Sequence, residues 1–285
     1  MTSPQKVWLV TGTSTGIGKE LCLAALKRGD KVIATARNVD KIDSTLREKG
    51  ADVLQLDITD ALENLKRIAE NAIAIHGRVD VLVNNAGYIS VGPIEEETPE
   101  ATFRQYNTNV FGPLNVTRAF LPFMRPRRSG TIIFVGSQGG WTGMRGCGLY
   151  CGTKFAIRAS AESLSHELGP LGLKVYCVEP GSFRTAVLST GNREEFISNI
   201  PDYRHVMEGN QEQLLNDDGN QPGDPVKLSE VVVDLVRGEG VAKGRELPTV
   251  ALPLGKDAWV LVNGVVGQMG KTLEEWKDVI ESTDF

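Results

Sequence analysis

The sequence predicts a doubly wound α/β fold, with about seven mainly parallel strands covered by helices on both faces, in a single domain over residues 1–285. Three observations predict it. Apolar runs of strand length alternate with helix-length stretches through most of the chain. The strand-length runs are β-branched and continuously apolar, as suits strands buried on both faces. A glycine-rich turn joins the first strand to the first helix.

In order, Val7 to Val10 reads as a strand, Gly18 to Arg28 as a helix and Val32 to Ala36 as a second strand. Val53 to Leu56 is a third, followed by a helix that Asp60 would cap and Gly77 would end. Val79 to Val83 is a fourth. Thr98-Pro99-Glu100 starts a helix, with Thr as cap and Pro at the first position; it carries Asn109 and should bend near Gly112-Pro113. Thr131 to Val135, Tyr150 to Leu168 and Val175 to Val178 read as strand, helix and strand. Val226 to Arg237 is a helix, and Leu247 to Leu254 a seventh strand. The core spans about 6–188 and a C-terminal helix–strand–helix segment about 226–285. Between them, about 189–225 is polar and without a clear period, which predicts a long loop serving as a substrate lid, or else an inert surface insertion.

Composition excludes several classes. Hydrophobic residues make up 41%, enough for a sizeable core. A net charge of −5 and a pI near 5.4 argue against nucleic acid or an anionic membrane as partner. The one basic cluster, Arg125 to Arg128, reads as a solvated loop. No secretory signal or spanning stretch is apparent, so a cytoplasmic protein with reduced thiols is expected. His76, His166 and His205 lack metal-ligand spacing, and no metal is expected. Cys147 and Cys151 read as small packing residues, with a redox-sensitive thiol as the other reading.

Two motifs carry chemistry. In Thr11-Gly12-Thr13-Ser14-Thr15-Gly16-Ile17-Gly18, glycines let backbone approach a pyrophosphate at a helix N-terminus, although the spacing is GxxxGxG and a structural turn would look alike. In Tyr150-Cys151-Gly152-Thr153-Lys154, the phenol and ammonium share one helix face, where a cation lowers a tyrosine pKa and tunes it for proton transfer. Ser137, at the end of the fifth strand, falls at the carboxyl edge of the sheet, where its hydroxyl can hold a carbonyl oxygen or cap a turn.

These motifs resemble the short-chain dehydrogenase/reductase superfamily, in its short single-domain branch with a Rossmann fold. The resemblance rests on TGTSTGIG at 11–18, NNAG at 84–87, NVFG with Asn109, Ser137, YCGTK at 150–154 and PGSFRT at 180–185. LPLGKDA at 252–258 is similar to a 17β-hydroxysteroid and retinol dehydrogenase-like subgroup. The resemblance implies an oxidoreductase moving hydride between a nicotinamide and a carbonyl or secondary alcohol. It implies Tyr150 as proton donor and acceptor, Lys154 as modulator and ribose ligand, Ser137 on the substrate carbonyl, and Asn109 holding a relay water through its backbone. It places Gly12, Ser14, Ile17 and Gly18 at the phosphates and Asp57 and Ile58 at the adenine. Asn85, Ala86 and Gly87 fall beside the adenosine ribose, and Pro180, Gly181 and Thr185 at the nicotinamide. Dimers or tetramers through the helices starting near Pro99 and Tyr150 also follow from it.

NADP(H) is expected over NAD(H). Thr35 and Ala36 are neutral where an NAD(H) enzyme usually carries an acid, and Arg37 follows, either as a 2′-phosphate ligand or as a solvated loop residue. Thr15, where many NADPH-dependent members are basic, weakens this. Apolar residues scattered through 189–225, Phe196, Ile200 and Met207 among them, suggest a fairly apolar ketone or alcohol substrate. Two other functions compete. A cofactor-binding regulator would have a broken tetrad, and a nonredox epimerase-like or cyclase-like enzyme would show TGxxGxxG and a longer C-terminal region; neither feature is present.

Overall fold

A computed structural model describes residues 4–189, 196, 198–245 and 251–285. The chain alternates as expected. β1 (Val7–Thr11), β2 (Lys31–Ala36), β3 (Asp52–Gln55), β4 (Val81–Asn84), β5 (Gly130–Val135), β6 (Leu173–Pro180) and β7 (Ala251–Leu254) form one parallel sheet in the order β3-β2-β1-β4-β5-β6-β7. Chain direction across the sheet reverses between β1 and β4, so a crevice opens there at the carboxyl ends of the strands.

Alternate strand residues feed two cores. On one face Leu9, Ile33, Leu82, Ile132 and Phe134 pack against α3 (Leu62–His76), α5 (Gly112–Met124) and α6 (Gly148–Leu168). On the other, Trp8, Val10, Val32, Ala34 and Val83 pack against α1 (Gly16–Lys27) and α8 (Pro225–Arg237). This two-sided burial is why the strands read as continuous apolar runs. No helix among the described residues is long and apolar enough to cross a membrane.

Four local expectations need correction. α2 (Ser44–Glu48) is one helical turn capped by Asp43, too short to leave a period. Asp60 does not cap α3; Ala61 occupies the cap position, and Asp60 accepts from the side chain of Asn64 at 3.1 Å. The helix break before Pro113 lies earlier than expected, in a π-helical turn at Asn107–Phe111 between α4 (Pro99–Tyr106) and α5. The cause is still Pro113, which has no amide hydrogen for the carbonyl four residues back, that of Asn109.

The fourth correction concerns the long polar loop. Pro201–Asp217 is a helix, α7, opened by Pro201 at its first position. Its apolar residues are too few to betray a period, and Met207 is its buried anchor. Residues 190–195 and 197 of the expected lid, and 247–250 of the expected seventh strand, lie outside the described residues. The chain ends in α9 (Lys256–Glu275) and α10 (Lys277–Glu281).

Candidate active site

The glycine turn is shaped by packing under it as well as by what lies over it. Gly12 has φ +70°, and a Cβ there would fall 2.9 Å from the Ala86 Cα. A Cβ on Gly18 would fall 2.3 Å from the Gly12 carbonyl. Asn85 locks the turn to β4, its amide donating to the carbonyls of Thr11 at 2.9 Å and Gly12 at 3.0 Å. The Thr11 hydroxyl accepts from the backbone of Asn85 and Ala86, at 3.0 and 3.1 Å. The N-terminus of α1 has no side-chain cap and no acid in its first turn, which leaves it electropositive and fit for phosphate. Thr185 reaches over the same turn, its Cβ 3.3 Å from where a Gly16 side chain would begin.

Beside the turn lies a cleft of about 410 Å³ lined by Ser14, Thr15, Ala36, Arg37, Asn38 and Lys41. Arg37 and Lys41 supply two cations to it, and no acid lines it. Asp57 and Ile58 do not line this cleft. The Asp57 carboxylate accepts from Thr59 at 2.9 Å, and Ile58 is buried in the core. A second hollow of about 510 Å³, lined by Ser165, Lys174 and Tyr176 among others, flanks the first half of β6, away from the strands' carboxyl edge.

Around Tyr150 the structure brings together Asn109, Ser137 and Lys154. The Asn109 side chain is fully engaged: its oxygen accepts from Tyr88 N at 3.1 Å, and its amide donates to Tyr88 O at 3.0 Å and the Thr153 hydroxyl at 3.1 Å. Its backbone carbonyl meets no amide hydrogen from Pro113, four residues on. Ser137 is buried at the end of β5, accepting from Gly139 N at 3.0 Å. Lys154 is buried, with its ammonium 5.6 Å from the Tyr150 ring centroid and donating to Val135 O at 2.8 Å.

Electrostatics here differ from the expectation of a lowered tyrosine pKa. Burial pushes Tyr150 up to about 12, opposed by its hydrogen bond with the Ser137 hydroxyl. Burial also pushes Lys154 down to about 8. Desolvation of the pair outweighs any through-space help from the ammonium. Cys147 and Cys151, both buried, are pushed up by desolvation, the former to about 11, which favours packing over reactivity.

Three residues under the site left little trace in the sequence. Glu179, fully buried at the end of β6, accepts the indole N–H of Trp141 at 2.6 Å and faces Arg158 Nε at 3.6 Å. The Arg158 guanidinium stacks 3.4 Å above the Trp141 ring. Burial raises the Glu179 pKa, with Trp141 and Arg158 opposing. The available signal was an acid closing the otherwise apolar run before Pro180. Next along the chain, Asp257 of α9 accepts from Ser182 N at 2.6 Å, and Gly181 donates to Leu254 O at 2.8 Å. The stretch after β6 is therefore held by β7 and by the first turn of α9.

α7 lies against the same site. A Cβ on Gly146, near the start of α6, would fall 2.6 Å from Asn210 and 3.1 Å from Met207. Glu96 accepts from the Ser198 hydroxyl at 2.5 Å, Asn199 N at 2.7 Å and Ile200 N at 3.2 Å, and Tyr203 donates to Glu95 at 2.6 Å.

A sequence model described as short chain dehydrogenase matches residues 6–195. The chain belongs to the short-chain dehydrogenase family. A short-chain dehydrogenase from Streptomyces avermitilis has a similar structure, with TM-score 0.86 and 38% identity over 99% of this chain and 100% of that one. Retinol dehydrogenase 8 of Homo sapiens is 32% identical over 217 residues, covering 73% of this chain and 70% of its own. Two reductases share the fold at lower identity: a 3-ketoacyl-(acyl-carrier-protein) reductase from Brucella melitensis complexed with NADH (TM-score 0.71, 26% identity, 87% and 96% covered), and actinorhodin polyketide ketoreductase with NADPH (TM-score 0.72, 28% identity, 88% and 95% covered). This short-chain dehydrogenase is an oxidoreductase, built on the seven-stranded parallel sheet its sequence predicted.

Proposed function

We propose that this short-chain dehydrogenase is an NADP(H)-preferring ketone reductase and alcohol dehydrogenase for a fairly apolar substrate. The observation that carries the reading is the group of half-buried Tyr150 with buried Ser137 and Lys154 at the carboxyl edge of the sheet. The bound nicotinamide supplies or accepts the hydride. Ser137 orients the substrate oxygen, and Tyr150 donates a proton to it in reduction or takes one in oxidation. Lys154 holds the nicotinamide ribose and feeds protons toward Tyr150, resupplied through a water on the Asn109 carbonyl. Gly12, Ser14, Ile17 and Gly18 hold the phosphates, Asn85, Ala86 and Gly87 flank the adenosine ribose, and Asp57 and Ile58 the adenine. Pro180, Gly181 and Thr185 place the nicotinamide. Arg37, helped by Lys41, meets the 2′-phosphate.

α7 closes over the substrate, and its buried Met207 favours an apolar ketone. The exposed rings of Phe103, Phe111 and Phe155, on and between α4 and α6, support a homodimer through that face. The deciding experiment follows NADPH absorbance over a panel of steroid-like, retinoid-like, aromatic and polyketide-like ketones. Net consumption with one class supports the reading. Tight NADPH binding with no turnover on any of them points to a cofactor-binding regulator instead.

A further inference from the structure

α9 is tied down at one end only. Ala258 is fully buried and Asp257 holds Ser182, but from Val266 to the chain end every residue is exposed. A Cβ built on Gly264, Gly267 or Gly270 would meet nothing within 4 Å among the described residues. Helices in proteins gain most of their stability by packing an apolar face.

α9 has such a face, and it is bare. Trp259, Val262, Val266, Met269 and Leu273 recur along α9 at alternating steps of three and four residues, the period of a coiled-coil seam, and Trp276, at the break after α9, and Ile280 of α10 continue the spacing in sequence. Trp259 is 65% exposed, Met269 56%, Leu273 54% and Trp276 57%. We propose that this seam is a dimerisation surface, covered by the same seam of a second copy of the chain.

Size and charge both favour that occupant. Trp259, Val266, Met269, Leu273 and Trp276 are each more than half exposed, the large apolar side chains that the core of a standard interface of about 800 Å² per partner buries. All seven seam positions are uncharged, so two copies meet without like-charge opposition, as a self-complementary two-fold contact requires. The flanks carry Glu274, Glu275, Asp278, Glu281 and Asp284 against Lys271 and Lys277, an acidic balance that an anionic lipid surface would repel.

The test is the solution mass of the full chain, by sedimentation velocity from about 1 to 50 μM, for wild type, Met269→Glu and Leu273→Glu. Both positions are more than half exposed, so neither variant should disturb the subunit fold; circular dichroism and NADPH binding check this. Wild type should associate, and each variant should lose one association step, halving the mass and weakening that step by about tenfold or more. Phe103→Glu reports separately on the α4–α6 face and should leave this step intact. A monomeric wild type at the highest concentration, or unchanged masses in both α9 variants, overturns the proposal. Wild type that stays monomeric yet floats with phosphatidylcholine vesicles, the variants failing to float, also overturns it and assigns the seam to lipid.

Discussion

Lys154 donates its ammonium to the carbonyl of Val135, 2.8 Å away and two residues before Ser137, so the cation is seated on the strand that presents the serine. Seating it there has an energetic cost. Its pKa falls from 10.5 to about 8, on the order of 3 kcal/mol of unfavourable burial at neutral pH.

That cost makes a stability prediction. Between about pH 8 and 10.5 the unfolded chain binds more protons at Lys154 than the folded one, so stability from this group rises with pH across that window. Lys154→Met should therefore be at least as stable as wild type at pH 7 and lose that advantage by pH 10, while its turnover and cofactor affinity collapse. Thermal melts of both proteins without cofactor check this. A variant less stable at every pH would show that the Val135 hydrogen bond outweighs the desolvation.

Tyr150 lies on the other side of the same balance. Raised to about 12, it is protonated across the neutral range in the cofactor-free protein, which suits ketone reduction. Reduction should be nearly flat from pH 6 to 9, and oxidation should climb with pH as phenolate becomes accessible. Tyr150→Phe should lower both by about 10²–10⁴-fold with little change in NADPH affinity. Steady-state rates in both directions across pH test it; retained turnover in the Phe variant would remove Tyr150 from the mechanism.

Cofactor choice should turn on three neighbouring residues. Ala36→Asp would place a carboxylate in the cleft with Arg37 and Lys41 and repel a 2′-phosphate. Arg37→Ala removes a charged hydrogen bond worth about 1.5–3 kcal/mol, and Lys41→Ala a weaker one. All three should move kcat/KM toward NAD(H), Ala36→Asp and Arg37→Ala by roughly tenfold or more. A wild type that already prefers NAD(H) refutes the assignment.

The base of the lid should respond to acid. Desolvation pushes the Glu96 carboxyl up, but hydrogen bonds from Ser198, Asn199 and Ile200 and the charge of Arg204 outweigh it and hold the pKa below the usual carboxylate value. A depressed acid stabilises the folded arrangement above its unfolded pKa, and that contribution is lost as pH falls through the folded one. Limited proteolysis of 198–225 should accelerate in acid and in Glu96→Ala, and slow with NADP⁺ and a substrate analogue. Identical cleavage under all conditions would mark the segment as an inert insertion.

The sheet and the Tyr150–Lys154 pair were legible for the same reason: each was written in local spacing. Apolar runs gave the strands, and the i, i+4 relation gave Tyr150 and Lys154 one helix face. What was not legible depends on distant residues. The direction of the Tyr150 shift comes from burial, which no spacing records. Glu179, Trp141 and Arg158 are separated in sequence and meet only because β6 runs beside β5 and under α6. α7 has too weak an apolar period to announce itself, and it is held by Glu95 and Glu96 from a loop a hundred residues earlier.

Asp257 has a bearing on how this chain can be cut. One carboxylate in the first turn of α9 receives the backbone of Ser182, right behind the Pro180-Gly181 corner. The motifs assigned to cofactor and catalysis all end by Thr185, and the tail that follows LPLGKDA looks like a detachable appendage when drawn from sequence. Truncation ahead of residue 251 would strip β7 from the sheet edge and leave Gly181 N and Ser182 N without acceptors. A shortened chain meant to isolate the catalytic core would instead loosen the corner of the active site itself, so affinity tags, fusions and deletions belong beyond α10, where no described contact to the domain is at stake.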